Sequence, residues 1–389
     1  MYLMRLRLLY YFPKEKQGCI EASNRLCLTA LKFTMGAGIQ KGVIEMKKAL
    51  TSLMLAGLLI AAGCGNSTGG EQTAGENGAG GAGDSKSYKI AISQIVEHPS
   101  LDSTREGFLA ALKEAGLEEG KNLTVDYNNA QGDAATNLSI AQKIASGDAD
   151  LSLGIATPSA QALVQQIQDK PVLFAAVTDP LGAKIVDNLD QPGGNVTGAS
   201  DTNPEAVVEL VDFIATELPN VKKVGLILNE GEPNAVVMAE NAQQAFAKHN
   251  IEVVKAPITN TSEVKQAADS LVGNVDAMFI TLDNSVVSAV DTIIQVANDN
   301  DIPFFSSDRD TVEKGAMATV GFKYFDHGYQ VGQMAAQILV DGAKPGDLKV
   351  TVPDKLDLIL NVKAAQEQGV EVTDSMRSKV QDPDNNIIE

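Results

Sequence analysis

From Tyr88 onward the apolar positions switch repeatedly between two periods. Short β-branched runs predict strands over 88–93, 123–127, 151–155, 172–175 and 196–199, then over 223–228, 251–255, 277–281, 303–306 and 316–320, with a tail strand at 356–360. Stripes at helical spacing between them predict helices over 103–115, 136–145, 159–168, 204–217, 234–249, 262–272, 285–298 and 324–339. In the first of these Phe108, Leu109, Leu112 and Ala115 share one stripe, and Gly116 follows as a stop. Nearly continuous apolar strands alternating with helices imply βαβ units and parallel sheets covered on both faces. Ten strands are more than one five-stranded sheet needs. Two α/β lobes are therefore expected, with the break near 198–203, and the last helix and tail strand cross back between them. Two such lobes turn the carboxyl ends of their strands toward a shared cleft.

The pattern before Tyr88 is different. From Met46 the chain reads MKKALTSLMLAGLLIAAGCG: a basic Lys47-Lys48 pair, an uncharged apolar stretch over 49–62, then small residues before Cys64. The apolar run is short for a transmembrane span. Ile60-Ala61-Ala62-Gly63-Cys64 resembles a bacterial lipobox, which implies cleavage before Cys64 and lipidation of that cysteine; an ordinary secretory signal with an incidental cysteine is the alternative. Residues 65–87 hold eight glycines in 23 positions and no large apolar side chain, the composition of a flexible tether. Residues 1–45 show no sustained periodicity. Lys41-Gly42-Val43 can be encoded by a ribosome-binding sequence just upstream of Met46, so residues 1–45 are expected to be mis-called upstream sequence and 46–63 the signal peptide.

Charge sharpens this division. The chain has 389 residues, 31 Lys/Arg against 50 Asp/Glu, and a formal net charge of -19. Residues 1–63 carry nine basic and three acidic side chains, so the chain from Cys64 has 326 residues and a balance of -25. So negative a surface disfavours nucleic acid as a partner. Three cysteines, three histidines and no tryptophan leave little for a disulfide framework or a soft-metal cluster, and neither a metal site nor a cofactor is expected. No Gly-x-Ser-x-Gly elbow, Walker loop, His-Glu-x-x-His or dinucleotide glycine run stands in the folded part. Covalent catalysis, and enzymatic activity generally, are not expected.

The loops at the strand ends are rich in hydroxyls, amides and carboxylates. The first carries Ser93, Gln94, His98 and Ser100. After the third strand Thr157 reads as a helix N-cap with Pro158 at the first helical position, leaving the amides of Ser159 and Ala160 free to face an anion. Thr178 and Asp179 follow the fourth strand, where a turn closed by its own Asp side chain is the simpler reading. In the second half Asn234, Asp283, Asn284 and Asp308 hold matching places. An ammonium needs a carboxylate, which Asp283 or Asp308 could supply; Asp283 could instead cap the next helix and Asp308 pair with Arg309. Phe322 and Tyr324 lie at a strand-to-helix turn where a ring could stack on a ligand. His249 ends a helix as a C-terminal cap, and His327 lies one turn into the last long helix.

Ile92-Ser93-Gln94-Ile95-Val96-Glu97-His98-Pro99-Ser100-Leu101-Asp102 with Gly107-Phe108, Gly154-Ile155-Ala156-Thr157-Pro158-Ser159-Ala160-Gln161, Phe174-Ala175-Ala176-Val177-Thr178-Asp179-Pro180 and Asn195-Val196-Thr197-Gly198 together resemble the substrate-binding lipoproteins of ABC importers in the tryptophan/tyrosine-type group. The resemblance spans Tyr88 to about Val370. It implies a periplasmic-binding-protein-like type I fold: two doubly wound parallel-sheet lobes joined by about three hinge crossings, 88–200 with about 321–345 in the first and 201–320 with about 346–389 in the second. It implies an amino-acid ligand, aromatic in several relatives, with an ABC permease and its ATPase as partners and a lipid anchor to the cell membrane outside the cytoplasm. A monomer is expected. Ser93, Gln94, Thr157, Ser159, Thr178 and Asp179 would form the first wall of the cleft, Asn234, Asp283, Asn284 and Asp308 the second, and Tyr324 would reach in from the last crossing. No tryptophan is available to stack on an aromatic ligand, so that task would fall to Phe322, Tyr324 or apolar contacts. An extracytoplasmic carboxylate-dependent hydrolase and a sensory ligand-binding protein are the rival readings; no second transmembrane segment follows the folded part, which argues against the sensor.

Overall fold

The computed structural model describes residues 86–353 and 355–389. The signal, Cys64 and nearly all of the tether fall outside the described residues. The first lobe is built from β1 (Tyr88–Gln94), α1 (Pro99–Glu114), β2 (Leu123–Asn129), α2 (Ala134–Ser146), β3 (Leu151–Ile155), α3 (Thr157–Gln166), β4 (Val172–Val177) and β5 (Val196–Ser200). Its five strands are all parallel, in the order β2-β1-β3-β4-β5. β3 and β4 are buried along their whole length, which is why they read as unbroken apolar runs.

The second lobe follows with α4 (Pro204–Glu217), β6 (Lys223–Asn229), α5 (Pro233–Lys248), β7 (Glu252–Ile258), α6 (Val264–Leu271), β8 (Ala277–Ile280), α7 (Asn284–Val287), α8 (Val290–Asp299), β9 (Phe304–Ser306), α9 (Arg309–Lys314) and β10 (Ala318–Gly321). The chain then returns to the first lobe as α10 (Tyr324–Leu339) and crosses again into β11 (Asp357–Asn361), α11 (Val362–Glu367), α12 (Asp374–Ser378), α13 (Pro383–Asn386) and β12 (Ile387–Ile388). The second sheet runs β12-β11-β10-β9-β8-β6-β7. It is parallel except between β10 and β11. That exception follows from the path: β10 runs toward the hinge, and β11 enters from the hinge and runs away from it.

The chain therefore passes between the sheets three times. After α10 it stays beside the first sheet as far as Thr351, whose amide donates to Gly198 O at 3.1 Å while Thr197 Oγ1 donates to Leu348 O at 2.7 Å. The return to the second sheet thus falls later than the boundary near 345 drawn from the sequence. The single helix expected over 285–298 is also two helices. Ser288 Oγ donates to Ser285 O at 2.9 Å, and the Ala289 amide turns back to Val286 O at 3.0 Å, which ends α7 before α8 starts.

Each sheet is covered on both faces. Phe108, Leu112, Val331 and Ala335 of α1 and α10 pack over one face of the first sheet, and Ala141, Ile144, Ala160 and Leu163 of α2 and α3 over the other. In the second lobe α4 and α5 cover one face through Leu210, Ile214 and Phe246, while α6 and α8 cover the other through Leu271 and Ile293. α10 is fastened to α1 by unusually close backbone contact: a Cβ on Gly328 would stand 1.8 Å from Thr104 O, one on Gly332 2.4 Å from Phe108 O, and one on Gly107 2.0 Å from Phe325 O. Glycine is required there because no side chain fits between the helices.

Candidate functional site

The carboxyl ends of both sheets meet around a small cavity. The first lobe contributes His98 and Leu101 from the start of α1, Ala176 and Thr178 after β4, and Tyr324 at the start of α10. From the second come Asn234 of α5, Leu282, Asp283, Asn284 and Val287 around α7, and Asp308 before α9; Asp201 lines it from the first crossing. Five helices, α1, α5, α7, α9 and α10, begin at this wall, four of them with proline in the first turn (α1, α5) or an Asp side chain closing the N-terminus (α7, α9). No Lys or Arg is among the lining residues, whereas three carboxylates are.

Those carboxylates differ in how fully they are engaged. Asp283 caps α7 through Val286 N at 3.0 Å and takes Asn229 N at 2.5 Å, so both its oxygens serve the local backbone. Burial and the neighbouring Glu232 push its pKa up. Asp308 caps α9, accepting from Asp310 N at 2.8 Å and Thr311 N at 3.4 Å, and its other oxygen accepts from Ser100 Oγ across the cleft. Arg309 does not pair with it as the sequence suggested; the guanidinium reaches Glu313, Asn385 O and Asn386 instead. Burial raises the pKa of Asp308 as well, and the Ser100 hydrogen bond opposes that rise. Asp201 accepts only from Tyr324 Oη at 3.3 Å and Thr202 Oγ1 at 3.2 Å, and burial carries it to about 6.

Of the residues expected on the cleft, His98, Thr178, Asn234, Asp283, Asn284, Asp308 and Tyr324 line the cavity, and Ser100 joins it through Asp308. Ser159 does not: its hydroxyl donates to Asn137 Oδ1 at 3.0 Å, fixing α3 to α2. Asp179 closes its own turn through Gly182 N at 2.8 Å. Gln94 is tied by its amide to Val96 O at 2.9 Å and Asp102 at 3.0 Å. Ser93 is buried in β1 with its hydroxyl unpartnered, outside the cavity lining. Thr157 is not the N-cap of α3. Ala156 holds that place with φ 75°, so Thr157 and Pro158 are the first helical residues, and Thr157 Oγ1 accepts from Thr178 N at 3.4 Å behind the cavity. Phe322 stacks on Tyr324 with ring centroids 5.0 Å apart and faces a neighbouring chamber at the hinge.

Three contributors were not foreseen. Asp201 lay in what reads as a boundary between lobes. Glu232 accepts from Asn284 N at 3.1 Å, Ser285 N at 2.9 Å and Ser285 Oγ at 2.6 Å, holding the start of α7 beside α5. His327 is the third: buried in α10, it accepts the Ala176 amide on Nε2 at 2.9 Å. Ala176 has φ 54°, a left-handed conformation that costs an alanine energy and is here held by a side chain from another element. The signal in the sequence was a histidine on the buried stripe of a helix, which packing alone explains equally well.

Comparison with known proteins identifies the architecture. Solved type I periplasmic-binding-protein-like structures share the two-lobed fold. A curated tyrosine-binding protein from Clostridioides difficile is 40% identical over 323 residues, 82% of this chain and 91% of its own. A solved ABC domain in complex with L-Trp from Streptococcus pneumonia is 32% identical, with a TM-score of 0.72, covering 78% of this chain and 100% of that one. A ligand-free, open structure of a substrate-binding protein with adhesive properties from Clostridium difficile is 37% identical, with a TM-score of 0.57, covering 77% and 98%. The family model for ABC transporter substrate binding proteins matches residues 89–382, both lobes together, and the chain belongs to that family.

Proposed function

We propose that this protein captures a small amino acid, aromatic in side chain, in the cavity between its lobes and delivers it to an ABC permease driven by its ATPase. The observation that carries the reading is where the cavity lies: at the carboxyl ends of both sheets, lined by carboxylates, amides and apolar side chains from the two lobes together. Asp201 and Asp308 offer negative charge to an ammonium, the N-termini of α1 and α10 offer positive partial charge to a carboxylate, and Leu101, Leu282, Val287 and the Tyr324 ring offer apolar surface. The higher TM-score to an L-Trp complex than to an open, ligand-free relative of greater identity supports a closed arrangement of the lobes. Capture is then domain closure around the ligand, worth only its differential affinity for the closed state. No turnover is required of any residue. The lipobox-like segment supports anchoring at Cys64 outside the cytoplasm, with the mature chain acting as a monomer.

Thermal unfolding with and without L-Trp, L-Tyr and L-Phe tests the cargo. A ligand at a hundredfold excess over its Kd adds about 2.7 kcal/mol of stability, a clear shift in Tm; no response to any of the three removes aromatic amino acids.

A further inference from the structure

Where β4 leaves the first sheet, its backbone takes a shape that alanine does not keep unaided. β4 pairs with β5 at Phe174–Gly198 and again at Val177–Ser200, three steps against two, so one residue of β4 is extra. Ala176 sits in this bulge with φ 54°. On the adjoining strand end Ala156 has φ 75°, and its amide donates to Ala175 O at 3.0 Å. Such conformations persist in non-glycine residues only where surrounding contacts overrule their strain. For Ala176 the contact comes from outside the sheet: its amide, in a residue only 4% exposed, donates to His327 Nε2 at 2.9 Å. The two residues face different spaces. Ala176 lines the cavity with Thr178 and Asp201, whereas His327 lines the groove on the hinge side with Phe322, Lys323 and Asp326. The Asp201 amide donates to Val177 O at 3.2 Å, and Tyr324, one turn before His327, donates to the Asp201 side chain. α10 thus grips this stretch of cavity wall at two points.

We infer that His327 is a positioning residue: by accepting the Ala176 amide it holds the bulge at the end of β4 in the shape the ligand meets, without itself touching the ligand. This rests on the cavity's being the amino-acid site and adds how its first wall is kept in form. Without the imidazole the Ala176 N–H is buried unpartnered and the alanine relaxes toward negative φ. The binding-ready wall then becomes a minor state, and affinity falls with its population. The tautomer is fixed as well, since a ring whose Nε2 accepts carries its proton on Nδ1.

Nitrogen NMR of the full wild-type chain reads that tautomer with neither variant nor ligand. His327 should be protonated on Nδ1 and bare on Nε2 at neutral pH; a proton on Nε2 overturns the inference, even where a substitution fails to fold. In calorimetric titration with whichever of L-Trp, L-Tyr and L-Phe the wild type binds, His327→Leu should bind about 5- to 150-fold more weakly. His327→Gln, which returns an acceptor, should recover most of that loss. Adding Ala176→Gly to His327→Leu should recover part of it, because glycine holds a positive φ without strain; a void left by the ring is not mended by removing a further methyl. Unchanged affinity in His327→Leu overturns the inference, and so does a His327→Gln protein as weak as His327→Leu. If the wild type binds none of the three, the aromatic reading falls by itself and hydrogen exchange decides the role of His327. The Ala176 amide should then exchange at least about tenfold faster in His327→Leu than in wild type, and equal rates overturn the inference.

Discussion

Ser100, at the start of α1 in the first lobe, donates its hydroxyl to Asp308, the N-cap of α9 in the second, joining positions 208 residues apart across the mouth of the cleft. Both are almost fully buried. Beside them Ser103 Oγ donates to Asp310 Oδ1 at 3.3 Å. These are bonds that only the closed form can make, so the same pair that borders the cavity also bears on how readily it shuts.

Ser100→Ala should therefore act on closure rather than on folding. In the closed form the substitution leaves an Asp308 oxygen buried without a donor, at a cost of about 1–3 kcal/mol, while in an opened cleft water supplies the missing partner. The closed-to-open ratio of the ligand-free protein should fall by about 5- to 150-fold, and ligand affinity should fall with it. Small-angle scattering should show a larger radius of gyration for the variant without ligand and an equal one with saturating ligand. Equal radii without ligand would mean that the bond contributes nothing to closure.

Acid should favour closure of the empty protein. Burial in the closed cleft raises Asp201 from 3.8 to about 6 and moves Asp308 and Asp310 in the same direction, the last also under repulsion from Asp308 and Glu313. Opening rehydrates these groups, so the closed form binds more protons, and its advantage grows as pH falls through about 6 toward 4. For Asp201 alone the change is up to about 3 kcal/mol. An ammonium ligand needs the ionised carboxylates, so its affinity should move the opposite way and weaken below about pH 6. Scattering and calorimetry over this range read the two trends separately; a radius independent of pH would remove the carboxylates from control of closure.

Much of the fold was legible because its signals are local. β3 and β4 are continuous apolar runs because they are buried on both faces, and α4 starts at Pro204 as its stripe predicts, whereas α1 starts at Pro99, four residues ahead of the stripe expected from 103. The cleft loops were legible as a group, since strand ends in parallel sheets collect them. What could not be read depends on contacts between distant segments. Nothing in Ser159 announces that Asn137 holds it, and alanine gives no sign of the positive φ that moves the start of α3 from Pro158 to Thr157. Asp201 and His327 acquire their roles only when the hinge brings 201, 324 and 327 together.

His327 should make stability depend on pH in the opposite sense to the cleft carboxylates. Its buried ring stays neutral, with its pKa lowered from 6.5 to about 4 by burial, and it accepts the Ala176 amide. The unfolded chain takes up a proton first as pH falls, so the stability associated with this group is fully present above about 6.5 and is lost progressively toward about 4. The full change is about 3 kcal/mol. His327→Gln keeps an acceptor and removes the titration. Urea unfolding at steps between about pH 7 and pH 4 should show a shallower decline for the variant, and parallel declines would assign the pH dependence to other groups.

The helix pair α1–α10 makes the opposite of the usual prediction for glycine. Alanine is the better helix former by about 1 kcal/mol, so Gly328→Ala in an ordinary helix interior stabilises. Here the added Cβ would meet Thr104 O at 1.8 Å, a backbone atom with no rotamer to yield, and at Gly332 it would meet Phe108 O at 2.4 Å. Either helix must move, and the layer of Phe108, Leu112, Val331 and Ala335 beneath them must move with it. Overpacking of this kind costs about 1–3 kcal/mol or more, which exceeds the gain in propensity. Gly328→Ala and Gly332→Ala should both lower Tm, and since α10 carries Tyr324 and His327 to the cleft, Gly328→Ala should weaken ligand binding as well. A variant of unchanged or higher Tm would show that the two helices separate at no cost, and that the close approach does not fix α10 to the first lobe.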